Sequence, residues 1–245
     1  MNQTGDLASL SYLTHQQLTL LPNLLVLRDA LYSSAFRAFL RAVTGCGPLS
    51  GTKQDMSVNS YTKGCHLLIH DDVTGTRRVS YILYLPLPTT VNWKKEWGGS
   101  LELYPVKQVN GEWEPEAIPE KSIPPVWNQF VFFEVQPGHS FHSVEEVVID
   151  GKMNRLSISG WFHAAQEGEE GYVSEPEVPQ MKSSREQLAS NLPSISTAHS
   201  YHRLARLPHL RYLHLIHRPM NRPSLKLVFL TSTYRSSQNF STQST

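Results

Sequence analysis

Apolar residues recur at helical spacing from about Gln16 to Val43, first as Leu24, Leu27 and Leu31, then as Phe36, Phe39, Leu40 and Val43. Positions three and four apart share a helix face, so this stretch predicts one or two helices, with Ser33 and Ser34 offering a cap within the run. From Met56 the texture changes to short β-rich stretches: MSVNSY, CHLLIHDD, RRVSYILYLPL, SLELYPV, QFVFFEV, HSFHSV, EVVID and RLSISGWFHA. Asp-Gly, Pro-Gly and Gly-Gly turn signals lie between them. Many short strands so spaced predict a β-sandwich or barrel. A doubly wound parallel sheet needs helices between its strands, and the pattern from Met56 to Phe162 offers none. The predicted class is therefore mainly β with N-terminal helices.

Gln166–Gln180 (QEGEEGYVSEPEVPQ) is acidic and rich in Gly and Pro, which is linker composition. Beyond it Ser, His, Arg and Pro dominate, and no acidic residue follows Glu186, whereas Arg203, Arg206, Arg211, Arg218, Arg222, Lys226 and Arg235 do. The expected organisation is a helical support over 1–54, a β-domain over 55–163, a linker over 164–197 and a basic, poorly ordered tail over 198–245. A short docked helix from Tyr201 to His217, or a partner-binding arm, is the alternative for the tail. Basic and aromatic residues there form no recognisable stacking module, so no direct nucleic-acid contact is expected.

Composition narrows the class. The 245 residues are 40% hydrophobic and 18% charged, with a formal net charge of +1. No apolar run approaches the roughly eighteen residues of a membrane span, and Met1–Leu10 lacks a secretory pattern. Two cysteines, Cys46 and Cys65, without a pairing pattern fit a reducing, intracellular compartment.

The chemistry-bearing signal is His70-Asp71-Asp72 at the end of an apolar run. Residues i and i+2 of a strand point to one face, so His70 and Asp72 are expected to converge on one ion. His142 follows the long stretch QFVFFEV and a Pro-Gly turn, and would supply the third ligand. Two histidines and one carboxylate leave positions open on a divalent iron for a chelating cosubstrate and dioxygen. Thirteen residues after His142 comes Arg155, which shares one strand face with Ser157, Ser159 and Trp161. An arginine inside a barrel is costly unless an anion meets it. Its planar fork matches a carboxylate, and Ser159 could add a hydroxyl donor. Trp161 reads either as a wall of that pocket or as a core aromatic. His66 and His139 are expected to be non-ligands, and His163 to be structural just past the last strand. Arg77 and Arg78 are expected to be solvated or to receive a polypeptide, Gly98-Gly99 to be a turn or bulge, and Phe130, Phe132 and Phe133 to be core.

The motifs HDD, ILYL, WGGSLELY, WNQFVFFEV, SFHSV and RLSISGWFH, taken in order, resemble the Fe(II)- and 2-oxoglutarate-dependent prolyl hydroxylases, specifically the ribosomal prolyl 3-hydroxylase branch. The resemblance covers roughly Asp55 to His163 and implies a double-stranded β-helix, a jelly-roll or cupin-like core. It carries over His70, Asp72 and His142 as iron ligands and Arg155 as the anchor of the distal 2-oxoglutarate carboxylate. Tyr84 and Tyr61 match cosubstrate-pocket tyrosines. It further implies O2 as co-reactant, L-ascorbate as reducing aid, a prolyl residue of a small-subunit ribosomal protein as substrate, a role in translation termination, and cytoplasmic or nuclear residence. Against that family the chain is expected to be truncated at both ends. The alternative reading is therefore a catalytically poor form acting through metal or partner binding.

Overall fold

The computed structural model describes residues 1–10, 13–87, 91–151, 153–174 and 225–230. The helical run resolves into a single turn α1 (His15–Leu18) and two longer helices, α2 (Pro22–Leu31) and α3 (Ser34–Thr44). Ser33 is the cap of α3, its hydroxyl accepting from the Phe36 amide at 3.2 Å. That bond satisfies one of the amides a helix start leaves free.

Twelve strands follow chain order among the described residues: β1 (Asn2–Gln3), β2 (Leu49–Tyr61), β3 (Leu67–His70), β4 (Arg77–Tyr84), β5 (Leu101–Leu103), β6 (Val106–Val109), β7 (Glu112–Pro115), β8 (Lys121–Ile123), β9 (Gln129–Glu134), β10 (His142–Val144), β11 (Arg155–Ala164) and β12 (Lys226–Leu230). They form a six-stranded sheet in the order β1-β2-β11-β4-β9-β12, a four-stranded sheet in the order β3-β10-β5-β8, and the hairpin β6-β7.

Alternation along the major sheet decides which face does what. Met56, Val58, Val79, Tyr81, Leu83, Phe130, Phe132, Ile158 and Phe162 point outward and are covered by Leu24, Leu31, Tyr32 and Leu40 of the helical segment. Each such side chain contributes about 1.5–3 kcal/mol on burial, so the helices are part of the core rather than an appendage. The residues between them point inward. Tyr84, Val131 and Phe133 meet Leu101 and Ile123 of the minor sheet in a second cluster, which joins the two sheets face to face. This is the jelly-roll expected, with one end of its interior left to polar side chains.

Several expectations are corrected. EVVID is not a strand. The Val147 amide donates to the Cys65 carbonyl and its own carbonyl accepts from Gly64, while Val148 donates to Trp97, so this backbone is satisfied by turns rather than by a ladder. SLELYPV divides between β5 and β6. The β6-β7 hairpin turns on Asn110 and Gly111, both at positive φ, a turn signal the pattern reading passed over. β2 begins at Leu49 and so crosses the expected 54/55 boundary. Part of the expected linker is folded back: the Glu169 carboxylate accepts from the amides of Gly51, Thr52 and Gln166. In the expected tail, Lys226–Leu230 is a strand pairing parallel to β9. The suggested helix from Tyr201 to His217, and most of the expected linker and tail, lie outside the described residues.

Candidate metal centre

β3 and β10 are antiparallel neighbours, and their register sets His70 opposite His142. The two imidazole rings lie 4.1 Å apart, centre to centre. Asp72 does not reach them by strand alternation, because β3 ends at His70 and Asp72 sits at φ +61°. This left-handed residue swings the carboxylate back toward the rings, a conformation that costs an L-residue about 1 kcal/mol and that Asp tolerates better than most. One Asp72 oxygen lies 3.4 Å from His70 Nε2 and the other 3.3 Å from His142 Nε2. Ligands about 2.1 Å from one ion and at right angles lie about 3 Å apart, so the three groups are nearly at coordinating separation. Among the described residues, this is the group of His, Cys, Asp and Glu side chains converged closely enough to hold an ion.

The supports of these groups leave the metal-facing atoms available. His70 Nδ1 donates to the Leu68 carbonyl at 2.8 Å, and His142 Nδ1 donates to the Ser140 carbonyl at 2.7 Å. Each ring is bonded to the carbonyl two residues upstream, which leaves each Nε2 lone pair pointing at the site. Ser80 donates to Asp72 Oδ2 at 2.9 Å. Ser140 ties the two ligand-bearing segments together, its hydroxyl donating to the Asp71 carbonyl at 2.7 Å. Burial opposes ionisation of Asp72, but the adjoining His142 and His70 rings overcome it and hold the carboxyl well below its usual range. Burial likewise disfavours charge on His70, and Asp72 outweighs it, raising the imidazole above its ordinary value. Neither Ser80 nor Ser140 was legible as functional, because a serine has no distinguishing pattern until its neighbours are known.

Arg155, the first residue of β11, is 2% exposed. Its Nε donates to the Gly99 carbonyl at 2.6 Å, and its Nη2 is buried without a hydrogen-bond partner among the described residues. The rings of Tyr61 and Tyr84 flank the guanidinium at 4.9 and 5.1 Å. The Tyr84 hydroxyl is also buried without a partner, and burial raises its pKa against the opposing charge of Arg155. No carboxylate of the described residues pairs with this permanently charged group. A buried unpaired charge costs several kcal/mol, so an anion with two acceptor oxygens is the ligand that this corner fits.

The cross-strand register relates the two corners. Ser80, which holds Asp72, pairs with Trp161, Ile82 pairs with Ser159, and Tyr84 pairs with Ser157, next to Arg155 on the same face. Ser80 and Tyr84 are four residues apart on β4, roughly 13 Å at the strand rise. Both corners thus lie on the inner face of the major sheet.

The remaining singled-out residues fall as follows. Ser159 accepts from the Asn59 amide at 2.8 Å and is two same-face positions from Arg155, so the structure does not bring its hydroxyl to the guanidinium. Trp161 lies at the metal end, with the Arg77 guanidinium 3.5 Å above its ring. Arg77 is not solvated as expected: its side chain is 19% exposed, it pairs with Asp55 at 3.7 Å, and its Nε is buried. His163 is inside β11 rather than past it, bonded to Asp55 at 3.0 Å and to Thr76 at 3.0 Å. His66 turns to the Gly64 carbonyl, away from the cluster. Gly98 and Gly99 are more than a turn. Both have positive φ, and Gly99 lies against Arg155 itself.

Residues 56–163 match the family model described as the 2OG-Fe(II) oxygenase superfamily. The chain is 51% identical over 164 residues to the prolyl 3,4-dihydroxylase OGFOD1 of Ostreococcus tauri, covering 67% of this chain and 31% of that protein. It is 39% identical over 158 residues to the prolyl 3-hydroxylase OGFOD1 of Mus musculus, covering 64% and 27%. A solved prolyl-4-hydroxylase of Pseudomonas putida is 24% identical, with a TM-score of 0.31 over 45% of this chain and 49% of that one. The chain thus spans about a third or less of the curated relatives it matches. No helix among the described residues is long and apolar enough to cross a membrane. Residues 56–163, with their converged His70, Asp72 and His142, match the 2OG-Fe(II) oxygenase superfamily.

Proposed function

We propose that this chain hydroxylates a prolyl residue of a polypeptide, with His70, Asp72 and His142 holding iron(II) and Arg155 holding the far carboxylate of 2-oxoglutarate. The observation that carries this reading is the pairing of two corners on one inner face of the sheet. Three candidate ligand atoms converge at one end, and at the other the Nη2 of a buried guanidinium and a buried phenol hydroxyl have no hydrogen-bond partner among the described residues. When bound, iron(II) and 2-oxoglutarate together reduce O2, giving succinate and carbon dioxide and delivering one oxygen atom to the substrate C–H bond.

The residues of the chain do the orienting. The Nδ1–H bonds of His70 and His142 orient both rings with Nε2 toward the ion, and the Ser80 hydroxyl fixes the Asp72 carboxylate. Arg155 Nη2 and the Tyr84 hydroxyl supply donors for the distal carboxylate, and the Tyr61 ring packs on the guanidinium face. Ser159 lines the middle of that face rather than the anchor. Trp161, stacked under Arg77, walls the metal end and shields it from water. The catalytic unit we infer is the β-domain over 55–163 supported by the helices of 1–54.

The names of the relatives support 3-hydroxylation of a prolyl residue, and the motif resemblance alone supplies the finer assignment: a small-subunit ribosomal protein as substrate, an effect on translation termination, L-ascorbate keeping the iron reduced, and cytoplasmic or nuclear residence. The deciding experiment measures succinate formed by the purified chain with iron(II), 2-oxoglutarate and ascorbate, with and without a ribosomal-protein peptide, beside His142→Ala. Peptide-dependent succinate that vanishes in the variant is the expected result. A folded chain that binds metal and 2-oxoglutarate yet forms no succinate with any prolyl peptide would overturn it and leave a metal- and partner-binding protein.

A further inference from the structure

The major sheet ends beyond β9 in a strand drawn from far along the chain. β12 runs parallel to β9, whereas the other pairings of that sheet are antiparallel. Its register sets Lys226 opposite Gln129 and Leu230 opposite Phe133, and the Lys226 amide donates to the Asn128 carbonyl at 3.1 Å. Both faces are pinned. Phe229 stacks on Phe132 with ring centres 5.2 Å apart on the helix-covered side. Leu230 is buried on the inner side, in the cluster that holds Tyr84, Leu101, Ile123, Val131 and Phe133. Phe133 in turn stands edge-on to the His142 imidazole at 4.8 Å. A line of contact thus runs from Leu230 through Phe133 to a candidate metal ligand.

A strand edge with unpaired amides and carbonyls is a template for another strand, and alternate side-chain pockets give such additions their selectivity. The β9 edge has both: a backbone ladder, and an apolar cluster on each face, one meeting Phe229 and the other Leu230. We propose that this edge is a strand-accepting surface for an apolar segment in parallel register, filled in this chain by Lys226–Leu230, and that filling it positions the His142 imidazole through Phe133. Leu230 and Phe133 are positioning residues, since neither reaches the ligand atoms. The His142 ring is bonded at Nδ1 to the Ser140 carbonyl and lies 3.3 Å from Asp72 at Nε2, and Phe133, backed by Leu230, supports it from the side. This last step rests on the metal-site reading above.

The test uses the full chain with Co(II) in place of iron(II). Leu230→Ala is expected to weaken Co(II) binding roughly 3- to 10-fold, below the 10- to 100-fold of a lost hydrogen-bonded support, and to shift the visible Co(II) spectrum. Leu230→Met should restore both, and Leu227→Ala, at a half-exposed position, should change neither. A chain ending at Ser224 should regain affinity and spectrum when a peptide of Leu225–Leu230 is added, but not with that peptide carrying Phe229→Ser. Wild-type affinity and spectrum in Leu230→Ala would overturn the positioning, and failure of the shortened chain to capture fluorescent peptide would overturn the accepting surface. If the shortened chain precipitates, Leu230→Ala against Leu230→Met in the full chain decides. If the wild type takes up no Co(II), it is the metal-site reading that falls, and peptide capture still decides the surface.

Discussion

The Gly99 carbonyl accepts the Arg155 Nε–H at 2.6 Å, and a Cβ placed on Gly99 would lie 3.0 Å from Arg155 Cδ. The backbone therefore both bonds the guanidinium and leaves it the width of one hydrogen atom. Because Gly99 is also at φ +73°, Gly99→Ala is strained twice over. It should weaken 2-oxoglutarate binding about tenfold or more while leaving metal affinity near wild type, since His70, Asp72 and His142 sit at the other corner. Calorimetric titration of both ligands checks this, and equal loss of both would refute the division into two corners.

Ser80→Ala removes the hydroxyl that holds Asp72 Oδ2. Outer-sphere supports of this kind are worth about 10- to 100-fold in metal affinity. The expected outcome is a loss in that range with the fold intact, read by competitive metal titration beside circular dichroism. Unchanged affinity would mean that the left-handed backbone at Asp72 orients the carboxylate unaided.

Gly160 of β11 leaves no space for a side chain. A Cβ there would overlap the Asp55 carbonyl oxygen and come within 2.8 Å of the Tyr81 hydroxyl. Tyr32 donates to the same carbonyl at 2.6 Å and sits 3.1 Å from the Tyr81 hydroxyl, so the displaced groups form a buried polar cluster. Gly160→Ala should cost about 3 kcal/mol or more through overpacking and broken hydrogen bonds. Urea denaturation measures it, and a change under about 1 kcal/mol would show that the cluster yields easily.

Burial disfavours the Glu169 carboxylate, but hydrogen bonds from Gln166, Ser50, Gly51 and Thr52 outweigh it and set the carboxyl at about 2. A group depressed on folding stabilises the native state fully above its unfolded pKa and loses that contribution as pH falls through its folded one. Wild type should thus be more stable than Glu169→Gln at neutral pH, with the gap shrinking from about pH 4.5 and closing near pH 2. Paired denaturation curves across that range test it, and a gap independent of pH would assign the effect to shape rather than to charge.

The candidate ligand set was legible locally. HDD and SFHSV carry chemistry-bearing residue types, and Arg155 stood out as a charge in an otherwise apolar and small-residue strand. Their roles in a shared site depended on pairings that the pattern does not contain. His70 meets His142 only because β3 and β10 lie side by side. The reading of Asp72 reached a convergence through strand alternation, whereas a left-handed turn produces it. Arg77 read as solvated because charge predicts exposure on average, and the Trp161 ring and Asp55 carboxylate that cover it come from β11 and β2.

The sequence by itself determined the helical N-terminal run, most of the strands from Met56 to Ala164, which of their faces are apolar, and which residue types could carry the chemistry, because periodicity and composition act over a few residues. Only the tertiary structure decided that Gly99 would hold Arg155, that Ser80 and Ser140 would brace the ligands, and that Lys226–Leu230 would join the major sheet. Those relations link residues distant along the chain, and a hydrogen bond or a packed ring is specified by its partner's position, which no local pattern encodes.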